Sequence, residues 1–170
     1  MDEISTGVLL SVLFVLILLS AYFSGSETAM MSLNRYRLRH LASSGHKGAI
    51  RATKLLERPD RLIGLILIGN NLVNILASSI ATIIGLRLFG DVGIAISTGV
   101  LTMVVLVFAE VTPKTFAALH PERIAFPSSH ILRLLLIVLL PFVKAVNLIT
   151  SAVLRMVGIR STKTSDALSQ

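Results

Sequence analysis

Long apolar runs, separated by short polar clusters, set the organisation of the chain. The first extends from Gly7 to Phe23 and continues past small polar residues to Leu33. The second covers Leu62 to Leu88 behind Pro59, a residue suited to the first turn of a helix. The third, Val92 to Phe108, runs on through Ala109 to Thr112. Each approaches or exceeds the roughly 20 residues that a hydrocarbon core demands of a helix. The pattern predicts membrane-spanning helices over about 7–33, 62–88 and 92–113. The first run is too long for a signal peptide and is preceded by Asp2 and Glu3 instead of bases.

Two further stretches read as juxtamembrane. Residues 35–57 alternate bases with Leu38, Leu41, Ala42, Ile50, Leu55 and Leu56, interrupted by Gly45 and Gly48. They predict one or two amphipathic helices lying along the interface. The stretch 124–159 is apolar but broken by Pro127 and Pro141 and punctuated by His130, Arg133 and Lys144. Two short, partly embedded helices joined near Pro141 are expected there. Residues 161–170 read as the start of a cytoplasmic linker. The fold class is thus an all-α membrane protein, with residues 1–160 as one transmembrane domain.

Charge orients the spans. Eight bases from Arg35 to Arg61 face only Glu57 and Asp60, so this loop belongs in the cytoplasm and the acidic N-terminus outside. The short turn around Asp91 is then external, and the C-terminus returns to the cytoplasm. Composition agrees: 54% of residues are hydrophobic and 15% charged, against about 45–50% and about 25% in soluble domains. The net charge of +7 is explained by membrane topology rather than by nucleic acid. With no cysteine, disulfides, thiolate metal sites and cysteine catalysis are excluded.

Polar groups inside a membrane are costly, so each cluster needs a reason. Three stand out: Ser24-Gly25-Ser26-Glu27, Gly69-Asn70-Asn71-Leu72-Val73-Asn74, and Ala109-Glu110-Val111-Thr112-Pro113-Lys114. Counted along each helix from the nearest base, Ser24, Asn70 and Glu110 lie roughly 16, 14 and 6 Å deep. All fall in the cytoplasmic half of the bilayer. Their donors are hydroxyl, amide and carboxylate oxygens, which suit hard cations such as Mg²⁺, Ca²⁺ or Mn²⁺. Pro113 lacks an N–H, so the carbonyl of Ala109 loses its helical partner and becomes a candidate ligand. Gly25 is expected to loosen the first helix locally. Asn70 and Asn74 share a face, and Ser78 extends it. Ser20, Ser78, Ser79, Ser97 and Thr98 read as helix-packing hydrogen bonders. Glu27 is expected to pair with Lys114, and His40, His46, His120 and His130 stand isolated. No phosphate-binding glycine loop, metalloprotease signature or serine-hydrolase elbow occurs, so no enzymatic activity is expected.

Three of these segments together, Phe23-Ser24-Gly25-Ser26-Glu27-Thr28-Ala29, Ile68-Gly69-Asn70-Asn71-Leu72-Val73-Asn74 and Glu110-Val111-Thr112-Pro113-Lys114, resemble the transmembrane domain of the CorC/cyclin-M (CNNM) family of magnesium transporters. The match covers about Gly7 to Ile159. Ala109 departs from the glycine common in the family before the glutamate. The resemblance implies a homodimer of three spans per subunit with a belt of juxtamembrane helices, in the cell (inner) membrane. It implies sodium-coupled Mg²⁺ export, with Mg²⁺ held by Ser24, Asn70, Glu110 and the Ala109 carbonyl, and Asn74 and Ser26 as further candidates. It also implies that a cytoplasmic pair of nucleotide-binding CBS domains follows the linker. The alternative reading is a membrane-embedded Mg²⁺ sensor that regulates other transporters. An intramembrane hydrolase is a distant third, because Glu110 has no acid partner in the spans other than Glu27.

Overall fold

The computed structural model describes residues 5–156. Asp2, Glu3 and the linker stretch 161–170 lie outside the described residues. Helix α1 covers Thr6–Ser32, its start capped by the Ser5 hydroxyl, which accepts from the Val8 N–H at 3.3 Å. Asn34 begins α2 (Arg35–Ser43) in the same way, accepting from the amides of Tyr36 and Arg37. Gly45, at φ +87°, closes α2: the N–H groups of Gly45 and His46 bond back to the carbonyls of Ala42 and Leu41. Such a left-handed turn is open to glycine at little steric cost. The His46 ring nitrogen then caps α3 (Lys47–Leu56), accepting from Ala49 N–H. The interruption read at Gly45 therefore divides residues 35–57 into two helices.

Helix α4 covers Pro59–Phe89, with Pro59 in its first turn. It ends at Gly90, whose φ of +62° reverses the chain into α5 (Val92–Val104). The third apolar run stays helical to Leu119, but not uniformly. Residues Val105–Val111 form a π-helical segment between α5 and α6 (Thr112–Leu119). Finally, α7 covers Pro121–Met156. Among the described residues there is no strand.

Four helical stretches among these residues are long and apolar enough to cross a membrane: Thr6–Ser32, Pro59–Phe89, Val92–Leu119 and Pro121–Thr150. The last corrects an expectation. Instead of two short helices joined near Pro141, one helix passes through both Pro127 and Pro141. Each proline removes a single N–H. In apolar surroundings no water competes for the remaining backbone groups, and packing against neighbours holds the helix on course. Here Ser128 and Ser129, next to Pro127, are buried and bonded: Ser26 donates to Ser128, and Arg51 donates to Ser129.

Small residues let the helices come together. Ala77, Ala81 and Gly85 form a buried stripe on α4, and Gly85 meets Gly93 of α5 backbone to backbone. Gly69 faces the Phe23 ring, where a Cβ would come within 2.6 Å of the ring tip. Gly25 faces Pro113 of α6, at 3.4 Å from a Cβ built there. The role expected for Gly25 is thus corrected: α1 runs unbroken through it, and a methyl group added there would meet Pro113 at ordinary contact distance. At the end of the bundle where α1 gives way to α2, Ala49, Ala52, Leu55 and Leu56 of α3 join Met30, Leu62, Leu65, Ile66 and Leu132 in the core. Lys47 and Lys54 stay exposed. An amphipathic α3 is therefore clamped under the bundle.

Candidate cation site

The polar clusters of three membrane helices meet at one carboxylate. Ser24 Oγ of α1 donates to Glu110 Oε2 at 3.1 Å, and Asn70 Nδ2 of α4 donates to Glu110 Oε1 at 3.2 Å. Lys114, one turn further along, places its ammonium 2.8 Å from Oε2. Three residues expected only to share one half of the bilayer, Glu110 shallowest by count, are therefore in direct contact. Ser24 is fully buried, while Asn70 and Glu110 are half-buried.

Local structure explains why Glu110 arrives there. Pro113 cannot donate to the carbonyl of Ala109, which breaks the regular four-residue ladder. The Thr112 N–H reaches back five residues to the Val107 carbonyl, the π-helical pattern. Such single-turn widenings recur at functional sites. Ala109 is fully buried beside Glu110 inside this segment. The structure adds a fourth side chain, Ser20, that sequence reasoning assigns to packing. Its hydroxyl lies 3.0 Å from Asn70 Oδ1 and 2.8 Å from Asn74 Oδ1. One O–H thus serves two carboxamides, and Asn74 is tied to the cluster through it. The signal is in the spacing: Ser20 and Ser24 are four residues apart, like Asn70 and Asn74, so both pairs form one-turn ladders.

Other candidates sit elsewhere. Ser26 is two residues from Ser24, hence about 200° around the helix. Its hydroxyl donates to Ser128 Oγ at 3.1 Å, toward α7 and away from Glu110. Lys114 makes its close ion pair with Glu110, and the expected partner Glu27 acts on the same ammonium through charge alone, without a direct contact. Ser79, Ser97 and Thr98 donate to carbonyls of their own helices, not to neighbouring ones. His46 caps α3 and packs on Phe126 at 4.8 Å between ring centroids. Among the described residues no three His, Cys, Asp or Glu side chains converge. The cluster is one carboxylate held by a hydroxyl, an amide N–H and the Lys114 ammonium, with the oxygens of Ser20 and Asn74 adjoining.

Residues 11–170 match the cyclin M transmembrane N-terminal domain. A relative from Escherichia coli, the UPF0053 inner membrane protein YfjD, is 64% identical over 143 residues, covering 84% of this chain and 33% of that protein. A UPF0053 protein of Haemophilus influenzae is 55% identical over 160 residues, covering 94% of this chain and 38% of its own length. A more distant relative, 26% identical over 93% of this chain and 38% of its own length, is the polyamine export protein of Salmonella typhimurium. The chain thus spans little more than a third of the length of these relatives. Matched over nearly all its residues, it belongs to the cyclin M (CNNM) transmembrane-domain family of multi-pass membrane proteins.

Proposed function

We propose that the chain carries Mg²⁺ across the cell (inner) membrane, as a sodium-coupled exporter working through the cluster at Glu110. One observation carries this reading: three separate membrane helices converge on a lone carboxylate with only hydroxyl and amide groups around it besides the Lys114 ammonium. Hard divalent cations prefer such oxygens. Ser24, Asn70, Glu110, the Ala109 carbonyl and Asn74 would supply the shell, with Ser26 last because its hydroxyl is engaged by Ser128. A single carboxylate among neutral ligands suits a carrier, which must also release its ion.

The reading has three spans per subunit in a homodimer, with α2, α3 and α7 as the cytoplasmic belt. Cysteines introduced singly into this cysteine-free chain test it. Those at Lys47 and Ser165 should label only from the cytoplasmic side, and one at Asp91 only from outside. External labelling at residue 165 would make α7 a fourth crossing.

Mg²⁺ flux into and out of liposomes, with and without a sodium gradient, tests transport. Ser24→Ala and Asn70→Ala should each weaken Mg²⁺ binding by about tenfold, since each removes one hydrogen-bonding ligand worth about 1–1.5 kcal/mol. Unchanged affinity in both would remove the three-helix site, and binding without flux would favour the sensor. A second reading has its own observation. Glu110 engages a primary ammonium, that of Lys114, and one relative is named a polyamine exporter. An aliphatic diamine that moves in the same assay, while Mg²⁺ does not, would identify alkylammonium as the cargo.

A further inference from the structure

We infer that Lys114 is a tethered counter-cation that holds the cargo's place on Glu110, leaves when a divalent ion loads, and returns to displace it. The inference rests on the cation-carrier reading above and specifies how the site is emptied.

Both oxygens of Glu110 are engaged by donors. Oε2 receives the Ser24 hydroxyl and the Lys114 ammonium, and Oε1 receives the Asn70 amide. For a metal ion to bind, each neighbour must offer an oxygen or withdraw. Ser24 needs only to turn its O–H. Asn70 must rotate its carboxamide so that Oδ1 replaces Nδ2. Ser20 is placed to permit this, because the hydroxyl now shared with Asn70 Oδ1 has Asn74 Oδ1 as a second acceptor at 2.8 Å. Lys114 is different. An ammonium has three donors and no acceptor, so it cannot become a ligand. It can only leave, and it has room to do so: its side chain is 44% exposed, against 24% for Glu110. A flexible stem lets the charged head swing toward the interface.

The consequence is a charge filter. A monovalent ion entering the site exchanges one unit of charge for one unit, in competition with an amine held at high effective concentration by its own tether. A divalent ion brings two charges to the same oxygens. Once it is bound, the nearby ammonium repels it, which lowers affinity and speeds release.

The test is Mg²⁺ binding to the purified chain in nanodiscs by calorimetry, with release followed by stopped-flow chelation. Lys114→Met should bind Mg²⁺ about tenfold more tightly or better, given charges a few ångströms apart, and release it correspondingly more slowly. Lys114→Arg, which keeps the charge, should stay near the original protein. Methylammonium should weaken Mg²⁺ binding to Lys114→Met competitively and have little effect on the original protein, an outcome that a purely structural lysine would not give. If Lys114→Met does not fold, Lys114→Gln carries the same comparison. Equal or weaker Mg²⁺ binding by the folded, uncharged variant, or indifference to methylammonium, overturns the inference and leaves the site standing. An original protein that binds no Mg²⁺, or a Glu110→Gln variant that binds it equally well, overturns the carrier reading and this inference with it.

Discussion

Glu110→Ala is expected to abolish Mg²⁺ binding and flux while the protein still folds. Binding should fail because the change removes the one full negative charge of the cluster. Ser24, Asn70 and the Ala109 carbonyl are neutral, and neutral oxygens alone do not recover the cost of dehydrating a divalent ion. Folding should survive because little of the bundle depends on the carboxylate. The Lys114–Glu110 pair is partly exposed at both ends, and pairs of that kind contribute about 0–1 kcal/mol. The freed ammonium has open space at the interface, while Ser24 and Asn70 lose an acceptor each. The net change in stability should be about 1 kcal/mol or less in either direction. Calorimetry for Mg²⁺ and a thermal melt in detergent check the two halves separately. Full transport by a well-folded Glu110→Ala protein would sink the site.

The largest structural effect is expected at Gly93. Alanine ordinarily stabilises a helix interior relative to glycine by about 0.8–1.0 kcal/mol. At Gly93 the sign should reverse, because a Cβ there runs into the backbone carbonyl of Gly85 on the paired helix. Backbone cannot swing aside as a side-chain tip can, so α4 and α5 must separate. Overpacking of this kind costs about 1–3 kcal/mol and occasionally more. Gly99 is the internal control: it lies in α5, and a methyl group added there would have nothing within 4 Å. Gly99→Ala should leave stability unchanged or raise it. Melting temperatures of the two variants, compared with the original chain, give the answer. Equal melts would mean that the α4–α5 contact is not tight.

The three helices that build the site are legible in the sequence because the α-helical rise is fixed. Counting from the flanking bases brings Ser24 and Asn70 to one level but leaves Glu110 about 10 Å shallower; the packing of the helices closes that gap, and both residues hydrogen-bond to Glu110. Less legible is which face each residue takes. Ser26 counts to the right depth but points to Ser128, and helical phase, not depth, separates it from Ser24. Ser20 is easily passed over because a serine in an apolar run has the same composition whether it packs or bridges. Only its four-residue spacing to Ser24, matched on α4, marks it. The continuity of α7 is hidden for another reason. Proline's cost in a helix is offset by packing from neighbours far away in sequence, and around Pro127 these include Ser26 and Arg51, whose side chains bond the Ser128 and Ser129 hydroxyls.

The widened turn at Val105–Val111 also bears on how the third span can change over generations. A π-helical turn is equivalent to one additional residue accommodated in a regular helix, and one residue corresponds to about 100° of rotation. Lys114 beyond it, and Glu110 near its end, are aimed by that offset. Side chains on the outward face of the segment, such as Val107 and Phe108, are exposed, and exchange among apolar types there leaves the aim untouched. Loss of a single codon from the same stretch would remove the additional residue and the widening together, whereas a return to ordinary pitch at the present length would turn Lys114 by about 100° relative to α5. Length and pitch between Val92 and Pro113 are therefore coupled: a change in one without the other turns the side chains beyond the segment away from Ser24 and Asn70.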